Sequence, residues 1–408
     1  MGINMGKFAF ALFVLSILTP TSCTPSEVSQ AEQTTEAQLP ETSETTETEE
    51  LVIPQKEYTA EEIEQMRLNV GLSVTDNSIN LKSMYAGRML YVPETDTLFY
   101  MQDDKLYQKN GDKTIVLAEI PAISLTLHEG KLYFIYALER DIYYDYHKRW
   151  GTICCLDLST GKIAEIYGVD NAFKIFIDDD TLYYIIAEQM ESKAQWPTKA
   201  YKVDMETYQS ELINDDVHTQ PFAINGKYTV FTKTTEDSES GDITVEFQIT
   251  DRSTGEVKTY IEDKKVYGLS IYDNMLYYKR NDILVALNVE DMSVTEYVAE
   301  NPWGSDIPYI SSYTIHNGKL IVTTGTDIQM WSEERRDWNY YCPLLDSSVS
   351  SLSYYAELFS DGENLYVMNG GREWLYIDIA DLGYDLILPD GTTTINDQIT
   401  VRPLGDEE

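Results

Sequence analysis

The feature that most constrains the fold of this chain is an internal repeat. A turn followed by an aromatic-rich strand recurs seven times, with aligned positions at Leu98, Leu132, Leu182, Tyr228, Leu276, Leu320 and Leu365. The spacings are 34, 50, 46, 48, 44 and 45 residues. Because such a unit buries its apolar faces only against its neighbours, this period is typical of a propeller or a solenoid, and a β-solenoid normally repeats over fewer residues.

A second signature follows the first: an alternating strand, an acidic turn and another strand. It is clearest in residues 155–166 and 249–261, which contain D-x-S-T-G turns. In these turns the Asp side chain can accept hydrogen bonds from the backbone, and Gly161 and Gly255 can adopt positive φ. Less regular hairpins occur at YKVDMETYQSEL, LNVEDMSVTEYV and YIDIADLGYDLIL.

With the strand that precedes each first signature, one period holds about four strands, the content of one propeller blade. The sequence therefore predicts an all-β chain folded as a β-propeller with seven four-stranded blades. The 31 Tyr agree, because aromatic residues favour strands. Closure of the ring needs a terminal strand, and the candidates are residues 70–81 and 392–402.

The D-x-S-T-G hairpins resemble those of quinoprotein-like and TolB-like propellers. The whole layout resembles surface lipoproteins of Gram-positive bacteria that have a β-propeller body. The resemblance is one of architecture, because the quinoprotein repeat has Trp four residues after the Gly, where this chain has Glu165 and Thr259. That difference argues against a bound quinone, and we expect no cofactor.

The N-terminus has the pattern of an export signal. Lys7 precedes an apolar run, Phe8 to Leu18, which suits the core of a secretory signal and is too short to span a bilayer. Cys23 follows, as in a bacterial lipoprotein signal, although Pro20 stands where such signals usually have Leu. We predict a signal peptide over residues 1–22 and lipidation at Cys23, with ordinary signal cleavage or an uncleaved anchor as alternatives.

The residues after Cys23 read as a tether. From Thr24 to Glu50, 23 of 27 residues are Thr, Ser, Glu, Gln or Pro, a composition that builds no core. We predict a tether over residues 23–58 with a reach of roughly 30 Å, then a short helix and lead-in strand over 59–81, with a capping box at Thr59 and Glu62. The propeller would occupy 82–408, outside the cytoplasmic membrane and held to it by the N-terminal lipid alone.

Charge and cysteine content limit the partners and the chemistry. The net charge is −39, and residues 68–408 contain 57 acids against 27 bases. Such a field repels phosphate backbones, so nucleic acid is excluded as a partner. Cys154 and Cys155 are neighbours on a predicted strand and should point to opposite faces as small buried hydrophobes. A bridge from Cys342 to either of them is the alternative.

Motifs for catalysis are missing. The string around Ser270 lacks the final Gly of a nucleophile elbow. The histidines, at 128, 147, 218 and 316, are widely separated, so we expect no metal site, with a zinc site assembled across blades as the alternative. Paired carboxylates could act on glycosides, yet 57 acids make the choice of a pair arbitrary. Whether the protein is an enzyme stays open, with a non-catalytic role favoured.

The two faces of the predicted propeller differ. Joins between strands 1 and 2 and between strands 3 and 4 of a blade share one face, here called the tight-turn face. Joins from strand 2 to 3 and from strand 4 to the next blade share the opposite one, the long-join face. Long joins are predicted there in the second, third and fourth blades and after the fifth. Function is commonly carried by variable loops on a rigid scaffold.

Aromatic and charged residues in these joins are the candidate ligand-binding residues: Tyr143, Tyr144, Tyr146, His147, Arg149, Trp150, Trp196 and Trp303. Such side chains suit stacking on sugars or anchoring a peptide or protein. The alternative is that they pack their own loops. Trp331, Trp338 and Trp374 are predicted to be core residues.

The sequence thus predicts a binding module for an envelope protein, peptide or glycan. Two alternatives stay open at this stage. One is an extracytoplasmic carbohydrate-active enzyme that uses carboxylates at the mouth of the central channel. The other is an assembly or structural factor of the envelope.

Overall fold

The computed structural model describes most of the chain from residue 53 onward. The described ranges are 53–74, 87–137, 151–169, 172–178, 180–187, 198–207, 209–216, 222–238, 240–280, 283–299, 310–324, 328–334, 336–345, 357–369, 373–377 and 397–404. The predicted signal, Cys23 and nearly all of the predicted tether lie outside them.

Within these ranges the chain forms one α-helix, one 3-10 turn and 28 strands. The helix is α1 (Ala60–Arg67), and the 3-10 turn is Pro93–Thr95. The first blade contains β1 (Met89–Val92), β2 (Thr97–Gln102), β3 (Lys105–Asn110) and β4 (Lys113–Ala118). The second contains β5 (Ala122–His128), β6 (Lys131–Ala137), β7 (Gly151–Asp157) and β8 (Lys162–Tyr167).

The next three blades follow the same plan. The third contains β9 (Ala172–Asp178), β10 (Thr181–Ala187), β11 (Thr198–Asp204) and β12 (Ser210–Asp216). The fourth contains β13 (Phe222–Ile224), β14 (Tyr228–Glu236), β15 (Ile243–Asp251) and β16 (Val257–Glu262). The fifth contains β17 (Val266–Tyr272), β18 (Met275–Arg280), β19 (Ile283–Asn288) and β20 (Val294–Val298).

The last eight strands form a single sheet with two halves. One half is β21 (Ser312–His316), β22 (Lys319–Thr323), β23 (Ile328–Ser332) and β24 (Asp337–Leu345). The other is β25 (Glu357–Ser360), β26 (Leu365–Asn369), β27 (Glu373–Ile377) and β28 (Asp397–Pro403). The halves join where β24 and β28 pair in parallel from Tyr341 opposite Asp397 to Leu345 opposite Val401.

The predicted all-β propeller is confirmed, but the predicted count of seven blades is wrong. The described strands form six blades, five of four strands and one of eight. Each sequence repeat still supplies four strands, and the sixth and seventh repeats share a sheet because the nine-residue β24 extends far enough to pair with β28. Strand pairing between distant segments is invisible to a count of repeats.

The strand order within each repeat agrees with the sequence signatures. The first signature forms the second strand of its group of four in every repeat. Its seven aligned residues are all at most 5% exposed. Both D-x-S-T-G turns form as predicted: Asp157 and Asp251 accept the backbone N–H groups of Ser159 and Ser253 at 2.8 and 2.9 Å. The turn glycines have φ of 74° and 72°.

Packing of neighbouring blades closes the ring. Apolar clusters fill successive blade interfaces, and the last interface joins Met89, Leu98 and Tyr100 of the first blade to Phe359 and Tyr366 of the β25–β28 half. In the described residues only side chains hold this last interface together, because no strand of the first blade pairs with a strand of the β25–β28 half. Of the two predicted closing segments, residues 392–402 contain most of β28, whereas residues 70–74 lie outside every sheet.

Only the start of the third hairpin predicted from the less regular repeats lies within the described ranges. Residues 378–396, which contain most of its sequence, lie outside the described ranges. The strand that pairs with β27 is β28, with Leu375 opposite Pro403. Nineteen residues, 378–396, separate β27 from β28.

Candidate functional site

The long-join face is built by the ends of the second strands of three consecutive blades. Because strands in each blade are antiparallel, β6, β10 and β14 all end on this face, and β7, β11 and β15 begin there. The joins between them are residues 138–150, 188–197 and 237–242, whereas the corresponding joins in the first and fifth blades have two residues each. The join after β20, residues 299–311, lies on the same face.

The eight predicted ligand-binding residues all belong to joins outside the described ranges. The described strand ends bring the joins that contain Trp150 and Trp196 to neighbouring blades, since β5 contacts β9 along the inner edge. The first join contains three acids and three bases, Glu139, Asp141, Asp145, Arg140, Lys148 and Arg149. It is therefore a locally neutral segment on an acidic body.

Two features of this face differ from the sequence expectation. The join of the fourth blade is shorter than expected, because β14 and β15 continue as nine-residue strands to Glu236 and from Ile243. An eleven-residue join, 346–356, between β24 and β25 was not recognised as long. Its signal in the sequence is the polar run SSVSS followed by Tyr354 and Tyr355.

The tight-turn face carries the N-terminal strap, defined as residues 53–74, across the first two blades. The predicted capping box opens its helix, with Thr59 Oγ1 accepting the Glu62 N–H and Glu62 accepting the Thr59 N–H at 2.8 Å. The Gln55 side chain both donates to the carbonyl of Ile163 and accepts from its N–H, at 2.9 and 3.1 Å. The strap thus adds a hydrogen-bonded layer over one sector of this face.

Close backbone packing holds the far end of the strap. Gly130 N–H donates to the Leu72 carbonyl at 2.8 Å, and Val74 N–H donates to the Leu127 carbonyl at 2.9 Å. A Cβ at Gly130 would lie 2.5 Å from the Gly71 nitrogen, so only glycine fits. Met66 of α1 is fully buried in the interface between the first two blades. The strap is therefore part of the core of the propeller.

Inner strands are linked to each other by buried hydroxyls. Ser124 Oγ, on β5, accepts the Ile175 N–H of β9 at 2.8 Å. Ser312 Oγ, on β21, accepts the Leu358 N–H of β25 at 3.0 Å. Tyr313 OH of the same strand donates to the Gly268 carbonyl of β17 at 2.9 Å. These bonds satisfy backbone groups that the innermost strands leave without a ladder partner.

The buried carboxylates bear on the enzyme hypothesis. Among the described residues they are Asp178, Glu262, Glu357 and Asp361. Asp178 pairs with Arg252, and Glu262 pairs with Arg280 at 3.0 Å. Asp361 accepts three hydrogen bonds from its own turn and a fourth from the Tyr366 hydroxyl of β26. Three of these four buried carboxylates are thus held by structural partners.

Glu357 begins β25 on the long-join side of the inner ring. It is 3% exposed, and its Oε1 has no hydrogen-bond partner among the described residues. Burial raises the pKa of its carboxyl to about 8, and the nearby charge of Arg88 lowers it. The side chain is therefore largely protonated at neutral pH. Sequence reasoning missed it because nothing local distinguishes it from the other acids.

The prediction for Cys154 and Cys155 is confirmed, whereas of the tryptophans predicted to be core residues Trp338 is buried and Trp331 is half-buried. Cys154 and Cys155 are free and buried and belong to different core clusters, so their side chains point to opposite faces of the sheet. Burial raises the pKa of Cys154 to about 12 and that of Cys155 to about 11, which keeps both as inert thiols. Trp338 is 1% exposed and packs edge-on against Trp331.

One cluster of metal-ligating side chains occurs in the described part of the chain. It consists of His128 and Glu129, at the end of β5 and in the following turn, and Asp180, in the β9–β10 turn. Its potential ligand atoms all lie within 4.8 Å of one another. It lies on the tight-turn face, at the turns that join the first two strands of the second and third blades.

No helix among the described residues is long and apolar enough to cross a membrane. No protein-family model and no curated protein sequence matches the chain. Solved structures resemble it in fold. The extracellular domain of a B. thetaiotaomicron protein has 10% identity and a TM-score of 0.44, over 73% of this chain and 39% of that one.

Two further structures match over most of their own length. Hsv2p from Kluyveromyces lactis has 9% identity and a TM-score of 0.44, over 75% of this chain and 93% of that one. Apo AztD from Citrobacter koseri has 10% identity and a TM-score of 0.40, over 78% and 89%. At this distance the likeness bears on neither ligand nor activity. The class that the fold defines is a six-bladed β-propeller with an N-terminal strap.

Proposed function

We propose that this protein is an exported, lipid-anchored propeller that binds an envelope protein, peptide or glycan on its long-join face without catalysing a reaction. The observation that carries the proposal is the asymmetry of the two faces. Joins of thirteen, ten and six residues open from three consecutive blades on one face. On the other face the strap covers the turns of the first two blades.

The content of the joins supports binding. Tyr143, Tyr144, Tyr146 and Trp150 fall within eight residues of each other, and the join is neutral in an acidic protein. Amphipathic aromatic rings provide contact area at little cost in conformational entropy and are enriched where proteins bind partners. A rigid ring of blades keeps such joins in a constant arrangement.

Export and lipidation at Cys23 rest on the sequence signal alone, and metabolic labelling with a fatty-acid analogue, compared between the wild type and Cys23→Ala, tests them.

The test of binding is a triple substitution. Tyr144→Ala, Trp150→Ala and Trp196→Ala together should abolish capture of the species that the wild-type chain retains from a glycan array or from envelope extract. The melting temperature should stay within about 2 °C of wild type, since surface substitutions cost little. The matched control is Tyr267→Ala, which removes an aromatic side chain 38% exposed on β17. Capture that survives the triple substitution would overturn the assignment of the face.

A further inference from the structure

We infer that His128, Glu129 and Asp180 form a binding site for one Zn²⁺-like divalent transition metal on the tight-turn face. The residues come from two blades, and the fold brings Asp180 to residues that lie 51 and 52 positions earlier in the sequence. The site lies outside the proposed binding face and does not depend on it.

The separation of the donors fits a metal better than a hydrogen bond. His128 Nε2 lies 3.5 Å from Asp180 Oδ1, at the limit for a hydrogen bond between them. Two ligands of a tetrahedral zinc ion, each about 2.0 to 2.1 Å from the metal, lie about 3.3 Å apart. An ion between the two atoms would thus need only a small adjustment. Glu129 supplies the third donor, and a water molecule can complete the tetrahedron.

The strap orients the donors. Ser73 Oγ accepts the Glu129 N–H at 2.8 Å and lies 3.5 Å from His128 Nδ1. A polar group at the second ring nitrogen is the usual companion of a metal-bound histidine, because it fixes the ring and its tautomer. Glu129 has φ of 49°, a conformation that the hydrogen bond between Gly130 and Leu72 holds in place.

A turn of nearly the same sequence occurs elsewhere in the ring and can be compared with the turn that contains His128. The sequence HEGKL at 128–132 recurs as HNGKL at 316–320, and Asn317 has φ of 50°. There the imidazole has two neutral partners: Ser360 Oγ lies 2.8 Å from Nδ1 and Asn317 Nδ2 lies 3.1 Å from Nε2. His316 is thus satisfied by hydrogen bonds, whereas the equivalent ring of His128 faces carboxylates at longer range.

The chemistry of the donor set selects the metal. One imidazole nitrogen with two carboxylates suits zinc and its first-row neighbours, while Ca²⁺ and Mg²⁺ prefer sites made only of oxygen. His128 is 8% exposed, and the Asp180 side chain is 87% exposed. One side of the site is therefore fixed in the core and the other is open to solvent, which gives the ion an entry path.

The experiment is titration of the full chain with Zn²⁺ by isothermal calorimetry, repeated with Ca²⁺. We expect one Zn²⁺ per chain, at least tenfold weaker binding in His128→Ala and in Asp180→Asn, and wild-type affinity in His316→Ala. Asp180→Asn is the decisive variant because an exposed, isosteric change leaves folding intact. Zn²⁺ should also raise the melting temperature of the wild type and leave that of Asp180→Asn unchanged.

Three results would overturn the site. The first is equal Zn²⁺ affinity in the wild type and Asp180→Asn. The second is an equal loss of affinity in His316→Ala and His128→Ala. The third is Ca²⁺ binding as tight as Zn²⁺ binding, which would reduce the cluster to a cation-attracting part of an acidic surface.

Discussion

Glu357 combines burial with an unsatisfied oxygen, and its protonation links the stability of the inner ring to pH. Its carboxyl has a native pKa of about 8 and an ordinary value of 4.5. Between pH 4.5 and pH 8 the folded state therefore holds a proton that the unfolded chain has lost. The contribution of Glu357 to the unfolding free energy is therefore greatest below pH 4.5 and decreases as the pH rises toward 8. Above pH 8 it no longer changes with pH.

We expect Glu357→Gln to remove this part of the pH dependence. The amide has nearly the same shape and stays neutral, so the slope of unfolding free energy between pH 5 and 8 should become less negative by up to about 1.4 kcal/mol per pH unit. At pH 9 the variant should be more stable than the wild type. Urea unfolding at a series of pH values measures both effects.

Glu262→Gln is the matched control. Its carboxylate is 2% exposed and binds Arg280 and Tyr278 at 3.0 Å, so the same change should destabilise the protein throughout this range by removing charge-assisted hydrogen bonds. Parallel pH profiles of the wild type and Glu357→Gln would show that Glu357 is ionised in the native state.

The strap is the element that distinguishes this propeller from a bare ring of blades. Its contact with the second blade depends on Gly161, because a Cβ there would lie 2.5 Å from the Tyr58 ring. Tyr58 also donates its hydroxyl to the Leu117 carbonyl of the first blade. One side chain thus connects the strap to both blades that it covers.

We expect Gly161→Ala to lower the unfolding free energy more than Gly255→Ala does, by about 1 to 3 kcal/mol. Both glycines occupy the same place in a D-x-S-T-G turn and have nearly equal φ, 74° and 72°. The backbone strain of the substitution therefore cancels in the comparison. Nothing lies within 4 Å of a Cβ at Gly255, so the difference reports the contact with Tyr58.

Limited proteolysis is a second, independent measurement on the same two variants. The strap should be cleaved faster in Gly161→Ala and at the wild-type rate in Gly255→Ala. Equal stability loss and equal cleavage in both would mean that the strap contributes nothing to the fold.

At the scale of the whole molecule, the ring has one seam that no strand or connection of the described residues crosses. The first blade meets the β25–β28 half there through Met89, Tyr100, Phe359 and Tyr366. Other interfaces join blades that follow each other directly in sequence, so a chain connection reinforces their packing. The seam is therefore the place where the ring should open first.

We expect Phe359→Ala and Phe247→Ala to cost about 3 to 5 kcal/mol each, because both remove a buried ring. Phe359 is 6% exposed at the seam, and Phe247 is fully buried between the fourth and fifth blades. Only Phe359→Ala should speed amide hydrogen exchange selectively in β1, β2, β25 and β26. Exchange that accelerates uniformly around the ring in this variant would contradict a weak seam.

The local part of this architecture follows from the sequence. Leu132 and its six counterparts mark the second strand of each group of four, and Gly161 and Gly255 mark turns, because strand alternation and positive φ depend on neighbours a few residues away. Because the strands of a blade are antiparallel, their order in the sequence also predicts which joins lie on each face and where most of the long joins are. The ligand residues proposed on those joins, such as Trp150, remain a prediction from the sequence.

Tertiary structure decided what depends on residues far apart in the chain. It joined the sixth and seventh repeats through β24 and β28, laid the strap over Gly130 and Gly161, and brought Asp180 to His128. It also gave Glu357 a pKa that no neighbouring residue in the sequence foretells. These distances and degrees of burial depend on how different repeats pack against each other in the ring. The sequence signature of a repeat reflects only the packing within that repeat.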